Sequence, residues 1–254
     1  MKIFVFVPCY NRPDLLRRCV ESIAEQDDEN FEIVITDDAS TDPEVNQVLG
    51  RYVRHGIRVL TRTENVGATR NIVEAIRTVQ TSADMPATDV ILLVDGDDRL
   101  AHPRAISRIR EAFTDAVEVV YGSYEPEPPD DGCPPAQRIP DDILRWGMIR
   151  AFTRDHGAFY NHPLAFRRRM FDVLRDSDYR GADGEYMRYG YDTTLMIPIL
   201  EAAGWRVQFL ADTLYVYTSD RADSVYLAHT EANQAENDWV TSQPRKYQPL
   251  EIEP

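Results

Sequence analysis

The sequence predicts an α/β fold, a mostly parallel central sheet flanked by helices within one domain. Three observations predict it. Short β-branched or aromatic runs recur along the first half, and helical periodicities fall between them. The runs are largely apolar with little alternation, the pattern of strands covered on both faces. Such alternation builds an open α/β sheet. A length of 254 residues suits a single unit, since α/β domains often reach ~250 residues.

In chain order, strands are predicted at 3–8 (IFVFVP), 32–37 (EIVITD), 57–61 (IRVLT), 90–95 (VILLVD) and 117–122 (VEVVYG). Residues 14–25 place Leu15, Cys19 and Ile23 on one helical stripe, with Pro13 suited to the first turn. Residues 67–80 align Ala68, Ile72, Ala75, Ile76 and Val79, and 103–113 align Ile106, Ile109 and Phe113 after Pro103. The stretch 123–141 holds six prolines and no periodicity, and is expected to be a loop. Helices are then predicted at 141–152, 166–175 and 192–203, the last closed by Gly204. One or two strands follow at 205–218, and a polar tail from Gln243 is expected to trail over the surface. The domain therefore spans 1–242, in halves meeting at 122, with a tail at 243–254.

Composition excludes several classes. With 28 basic against 43 acidic residues the formal charge is −15, which argues against nucleic acid or an anionic membrane surface. Cys9, Cys19 and Cys133 are too scattered for a disulfide framework or a zinc site. The apolar runs at 3–7 and 90–94 fall far short of the ~20 residues of an integral membrane segment. The first residues do not have the form of a signal peptide, so the expected location is cytoplasmic.

The polar residues that carry chemistry follow the strands: PCYNR (8–12), DDASTD (37–42), TRTENVGATRN (61–71) and DGDD (95–98). Turns at the carboxyl ends of one sheet converge on a ligand cleft. Carboxylates crowded there, at Asp37, Asp38, Asp95, Asp97 and Asp98, raise one another's pKa or recruit a cation. Carboxylate oxygens in an irregular turn suit Mg²⁺ or Mn²⁺, which commonly bridge to substrate phosphates. Neither a GxGxxG nor a GxxxxGK[ST] motif is present, so phosphates would be met by metal and arginine. Arg12, Arg70 and the run Arg167–Arg169 are the candidates.

PCYNR, DDASTD, NVGATRN and LLVDGDD, in this order and spacing, resemble glycosyltransferase family 2, the inverting enzymes of the GT-A fold. The likeness is strongest over roughly the first 115 residues and continues weakly beyond. It implies a single GT-A domain with a nucleotide-sugar half at 1–122 and an acceptor half at 123–242. The donor it implies is a nucleotide sugar, usually UDP-linked. Asp38 would hold the base, Asp95 the ribose side, and Asp97 the metal, with Asp98 close by. Pro8, Tyr10 and Arg12 would line the nucleotide pocket, with Arg70 beside the phosphates. Family members carry a Glu-Asp pair opening a later helix; here Tyr191-Asp192 stands there, so Asp192 takes the position of the catalytic base and Glu185 is a fallback. An Asp near a helix start also suits a cap.

The resemblance also implies a metal contact or lid residue past the last strand. Arg221 stands near that position and His229 follows it. His156, His162 and the aromatics Trp146, Phe159, Tyr160, Tyr186, Tyr189 and Tyr191 lie where acceptor contacts are expected. The acceptor class stays open among a small molecule, a lipid-linked glycan and a peptide. A haloacid-dehalogenase-type phosphohydrolase needs DxDx[TV], whereas Arg99 stands after DGDD. A nucleotidyltransferase needs a Gly-rich arginine loop where PCYNR stands. A catalytically impaired nucleotide-sugar-binding module would accommodate Tyr191.

Overall fold

A computed structural model of the chain describes residues 1–82, 85–130, 135–219 and 229–251. Strand β1 (Ile3–Cys9) lies at the centre of its half, with β2 (Phe31–Asp37) on one side and β4 (Val90–Leu93) on the other, both parallel to it. Strand β3 (Arg58–Thr61) adds outside β2, also parallel. The register sets Cys9 beside Asp37, Asp37 beside Thr61, and Phe6 beside Leu93. The carboxyl ends of these strands therefore line up along one rim.

The second half extends the same sheet. Strand β7 (Leu164–Arg167) pairs antiparallel with β4 and with β6 (Val119–Glu127). The long β8 (Val207–Thr218) runs parallel to β6, and the short β5 (Arg99–Leu100) pairs antiparallel with β8. The order is β3-β2-β1-β4-β7-β6-β8-β5. The predicted mostly parallel α/β sheet flanked by helices is thus present, with eight strands.

Two apolar layers cover it. On one face α1 (Pro13–Ala24), α2 (Pro43–Arg54) and α4 (Ala105–Ala112) pack against Ile3, Val5, Val7, Val90 and Leu92. On the other, α3 (Ala68–Ser82) and α8 (Tyr191–Ala203) pack against Phe4, Phe6, Ile91 and Leu93. Every residue of β4 has its side chain fully buried, as the continuous apolar run requires. Helix α8 is buried almost all round, the form a helix takes inside a core rather than on it. No helix among the described residues is long and apolar enough to cross a membrane.

Several elements differ from the sequence expectation. Residues 43–54, unassigned by periodicity, form α2 with Pro43 in the first turn and the Asp42 carboxylate accepting from the Glu44 amide at 2.8 Å. Strand β6 runs on through Pro126 into the expected loop. From Ser123 on, its paired strand among the described residues is β8, and a proline is tolerated on such an edge. The expected helix 141–152 is two helices, α5 (Asp141–Trp146) and α6 (Ile149–His156), broken at Gly147 with φ 64°. The expected helix 166–175 begins only at Arg168 as the short α7 (Arg168–Asp172), because residues before it are the buried strand β7. Helix α9 (Thr230–Ser242) was unassigned. The tail does not trail freely. Leu250 donates to the Ala202 carbonyl at 2.9 Å and Lys246 pairs with Asp178 at 2.9 Å, so it straps the end of α8.

Candidate active site

The turns after β1 and β2 are folded onto each other. Asn11 and Arg12 both have left-handed backbones, φ 57° and 65°, which is uncommon for non-glycine residues and concentrates at functional turns. The Asn11 side chain holds the turn by accepting from the amides of Thr41 and Asp42, each at 3.0 Å. Tyr10 is exposed at this rim. Asp37 is used internally: its carboxylate accepts from the Ser40 amide at 3.2 Å and the Ser40 hydroxyl.

Asp38 is different. It is 4% exposed, and its carboxylate accepts from the amides of Val66 at 2.8 Å and Gly67 at 2.9 Å. Burial raises its pKa, against those two hydrogen bonds and the charges of Arg62 and Arg188. Gly67 has φ 86°, and a Cβ there would lie 2.9 Å from the Arg188 Cα, so glycine permits both the turn and the approach of the segment before α8. The Arg188 guanidinium reaches the Asn65 side chain at 2.7 Å. Arg70 pairs with Glu74 at 2.7 Å and lies 5.7 Å from the centre of the Tyr186 ring.

The DGDD turn sits directly against the end of β1. Gly96 donates to the Pro8 carbonyl at 3.0 Å, and a Cβ on Gly96 would lie 2.7 Å from that oxygen. Asp98 donates to the Asp95 carbonyl at 3.0 Å, closing the turn. One carboxylate oxygen each from Asp95, Asp97 and Asp98 lies within 4.8 Å of the others. An all-oxygen donor set of this kind matches a hard divalent cation, so these residues fit the metal expected from the sequence. Asp98, 2% exposed, accepts from the Tyr215 hydroxyl at 2.9 Å and the Thr218 amide at 2.8 Å. The Thr218 hydroxyl donates to the Asp97 carbonyl at 2.6 Å.

Asp95 is reached from the other half of the chain. The Tyr191 hydroxyl donates to its Oδ1 at 2.5 Å. His162 Nε2 lies 3.5 Å from its Oδ2, and the imidazole stacks on Tyr215 with centroids 4.9 Å apart. Asp192, next to Tyr191, is half-buried on the first turn of α8, whose N-cap residue is Gly190.

Other candidates lie elsewhere. Arg167 pairs with Val90 at the amino end of β4, the end opposite Asp95. Its guanidinium is spent on the carbonyls of Val117, Thr88 and Thr114, while Arg169 binds Glu118 and Arg168 binds Asp172. The run cannot serve a phosphate in this cleft, because β7 enters antiparallel and carries it away. His156 stacks on Phe152 at the exposed end of α6, and His229 stacks on Tyr189 at 4.8 Å. Glu185 is exposed, between the bridged residues Arg180 and Tyr186. Tyr160 is core and Trp146 is exposed. Arg221 lies outside the described residues. Tyr215, Thr218 and Arg188 are the site residues that sequence reasoning missed. Tyr215 reads as one more aromatic in a strand, with no local signal of its hydroxyl's role.

Residues 4–174 match the family model for glycosyl transferase family 2. The chain belongs to that family. A poly(ribitol-phosphate) β-glucosyltransferase of Bacillus spizizenii is 35% identical over 105 residues, covering 39% of this chain and 15% of that protein. Glycosyltransferase GlyG of Streptococcus pneumoniae is 28% identical over 131 residues, covering 51% of this chain and 41% of that protein. The chain thus spans less than half the length of either relative. Among solved structures, S. aureus TarS 1–349 superposes with TM-score 0.62 at 20% identity, over 86% of this chain and 61% of that one. Glucosyl-3-phosphoglycerate synthase from Mycobacterium tuberculosis, in complex with Mn²⁺, UDP and glucosyl-3-phosphoglycerate, superposes with TM-score 0.59 at 15% identity, over 92% and 77%. The family 2 chain shares the fold of these glycosyltransferases.

Proposed function

We propose that this family 2 chain is a metal-dependent inverting glycosyltransferase, moving a sugar from a nucleoside-diphosphate donor, UDP-linked, to an acceptor hydroxyl. The observation that supports the reading is that Tyr191, whose hydroxyl donates to Asp95 of the acidic turn, stands one residue before Asp192 on the first turn of α8. A base on one wall and a carboxylate cluster on the other are the two parts a single displacement needs. UDP or UDP-sugar complexes of the similar structures, one with Mn²⁺, support the donor class.

In this reading Asp38, through the turn it organises, faces the base of the nucleotide and Asp95 faces the ribose. Pro8, Tyr10 and Arg12 line the pocket, and Arg70 stands at its phosphate side. Asp97 and Asp98 hold Mg²⁺ or Mn²⁺, which when bound supplies Lewis-acid stabilisation of the departing diphosphate. An acceptor hydroxyl is a poor nucleophile, so Asp192 takes its proton as attack proceeds. The acceptor oxygen bonds to the anomeric carbon, the bond from that carbon to the diphosphate breaks, and the configuration inverts.

The test is a thermal-shift panel of UDP, GDP, dTDP and CDP with and without Mn²⁺. Stabilisation by one nucleoside diphosphate that requires the metal is the expected result. Indifference to every nucleotide in the presence of metal rejects the reading.

A further inference from the structure

We infer that Tyr191 is a positioning residue for the donor site, that its hydroxyl fixes the carboxylate of Asp95, and that this chain needs a hydrogen-bond donor rather than an acid at that position. The inference rests on the functional reading above, in which Asp95 faces the ribose of the donor.

Asp95 is held from several sides. Its backbone amide donates to the Tyr215 hydroxyl at 3.1 Å, Oδ2 faces His162, and Oδ1 accepts from Tyr191. Of these three partners, Tyr191 alone stands on α8, one residue before Asp192. One contact therefore sets both the orientation of Asp95 and the place of the first turn of α8 against the DGDD turn. The partner oxygen belongs to a carboxylate, which accepts hydrogen bonds and donates none when ionised. Only a donor can meet it. Tyr191 is buried, and its phenolic hydroxyl is the donor that meets this oxygen.

An acid at 191, as the family pattern has it, would set a carboxylate against Asp95. Like charges in contact disfavour ionisation of one of them. The Tyr for Glu exchange is thus accounted for by its partner: this chain fastens the two walls with a neutral hydroxyl.

The experiment measures UDP binding by calorimetry on the full chain with Mn²⁺ present, alongside melting temperature. Tyr191→Phe keeps the ring and removes the donor. It is expected to weaken UDP about tenfold to thirtyfold, the effect of one hydrogen bond to a charged group, with a melting temperature close to the parent's. Tyr191→Gln, which restores a donor, recovers part of the loss, and Tyr191→Glu binds no better than Tyr191→Phe. In an Asp95→Asn background, Tyr191→Phe has a much smaller effect, because the two act as a pair. Parent-like UDP binding by Tyr191→Phe or Tyr191→Glu overturns the inference, as does an undiminished effect in the Asp95→Asn background. A parent that binds no nucleoside diphosphate overturns the functional reading first, and this inference with it.

Discussion

Tyr215 donates its hydroxyl to the Asp98 carboxylate at 2.9 Å, and the same oxygen accepts the Asp95 amide at 3.1 Å. One phenolic oxygen thus ties both ends of the acidic turn to strand β8. Tyr215→Phe leaves the buried Asp98 short of a partner. It is expected to destabilise the fold by about 1–3 kcal/mol in urea denaturation and to weaken metal-dependent nucleotide binding. Unchanged stability would show that the turn is held by other means.

Asp97 is one of the two members of the acidic cluster whose carboxylates are proposed to hold the metal. Asp97→Asn removes a charge from an all-oxygen site. The variant should fold normally and lose the extra stabilisation that Mn²⁺ gives with nucleotide, as should the parent after treatment with a chelator. A full Mn²⁺-dependent thermal shift in Asp97→Asn would move the metal elsewhere.

Asp192→Asn preserves shape and removes the proposed proton acceptor. Loss of a general base costs about 10²–10⁴-fold in rate. Transfer should fall by that order while UDP affinity stays within a small factor of the parent's, and retained transfer would reassign the base.

Gly67 combines a positive φ with a position where an added Cβ would lie 2.9 Å from the Arg188 Cα. Gly67→Ala would add a left-handed penalty of about 1–2 kcal/mol and push the Arg188 segment off α3. Lower stability and weaker nucleotide binding are expected together, because the Gly67 amide also binds Asp38. A drop in stability alone would separate the turn from the nucleotide pocket.

Away from the site, Asp28 is gripped by Arg110 through two hydrogen bonds, at 2.5 and 2.8 Å. The Arg110 hydrogen bond holds the Asp28 carboxyl below its usual range, against partial burial. A folded value below the unfolded one stabilises above the ordinary carboxylate pKa, near pH ~4, and the gain is lost as pH falls through the folded value. The stability difference between parent and Asp28→Asn should therefore be present at neutral pH and close in acid. A gap independent of pH would deny the ion pair this role.

What the sequence made legible was local. Each turn of the first half follows its own strand, so PCYNR, DDASTD and DGDD announce themselves as a motif beside an apolar run. The second half was harder because its decisive contacts are distant. Tyr191 meets Asp95 across 96 positions, and Tyr215 meets Asp98 across 117. Periodicity cannot carry such pairings. The strand β7 was misread for a related reason: four buried residues are too few to outweigh the helical pattern that follows them. Conversely, α2 did carry a readable signal, with Asp42-Pro43 at its start and Val45, Val48 and Leu49 on one face.

The placement of β7 between β4 and β6 gives the molecule an unusual kind of indivisibility. The donor-side strands form a tidy parallel unit in sequence, yet their rim strand β4 is capped by residues 164–167 from far downstream. A polypeptide severed between β6 and α5 would release one piece with a bare, wholly apolar border and another with no seed to grow on. Neither piece is expected to be soluble alone, and only co-expression should restore them. Recombination between relatives faces the same rule: a transplanted nucleotide-side module must bring its β7 with it, or inherit one that already fits.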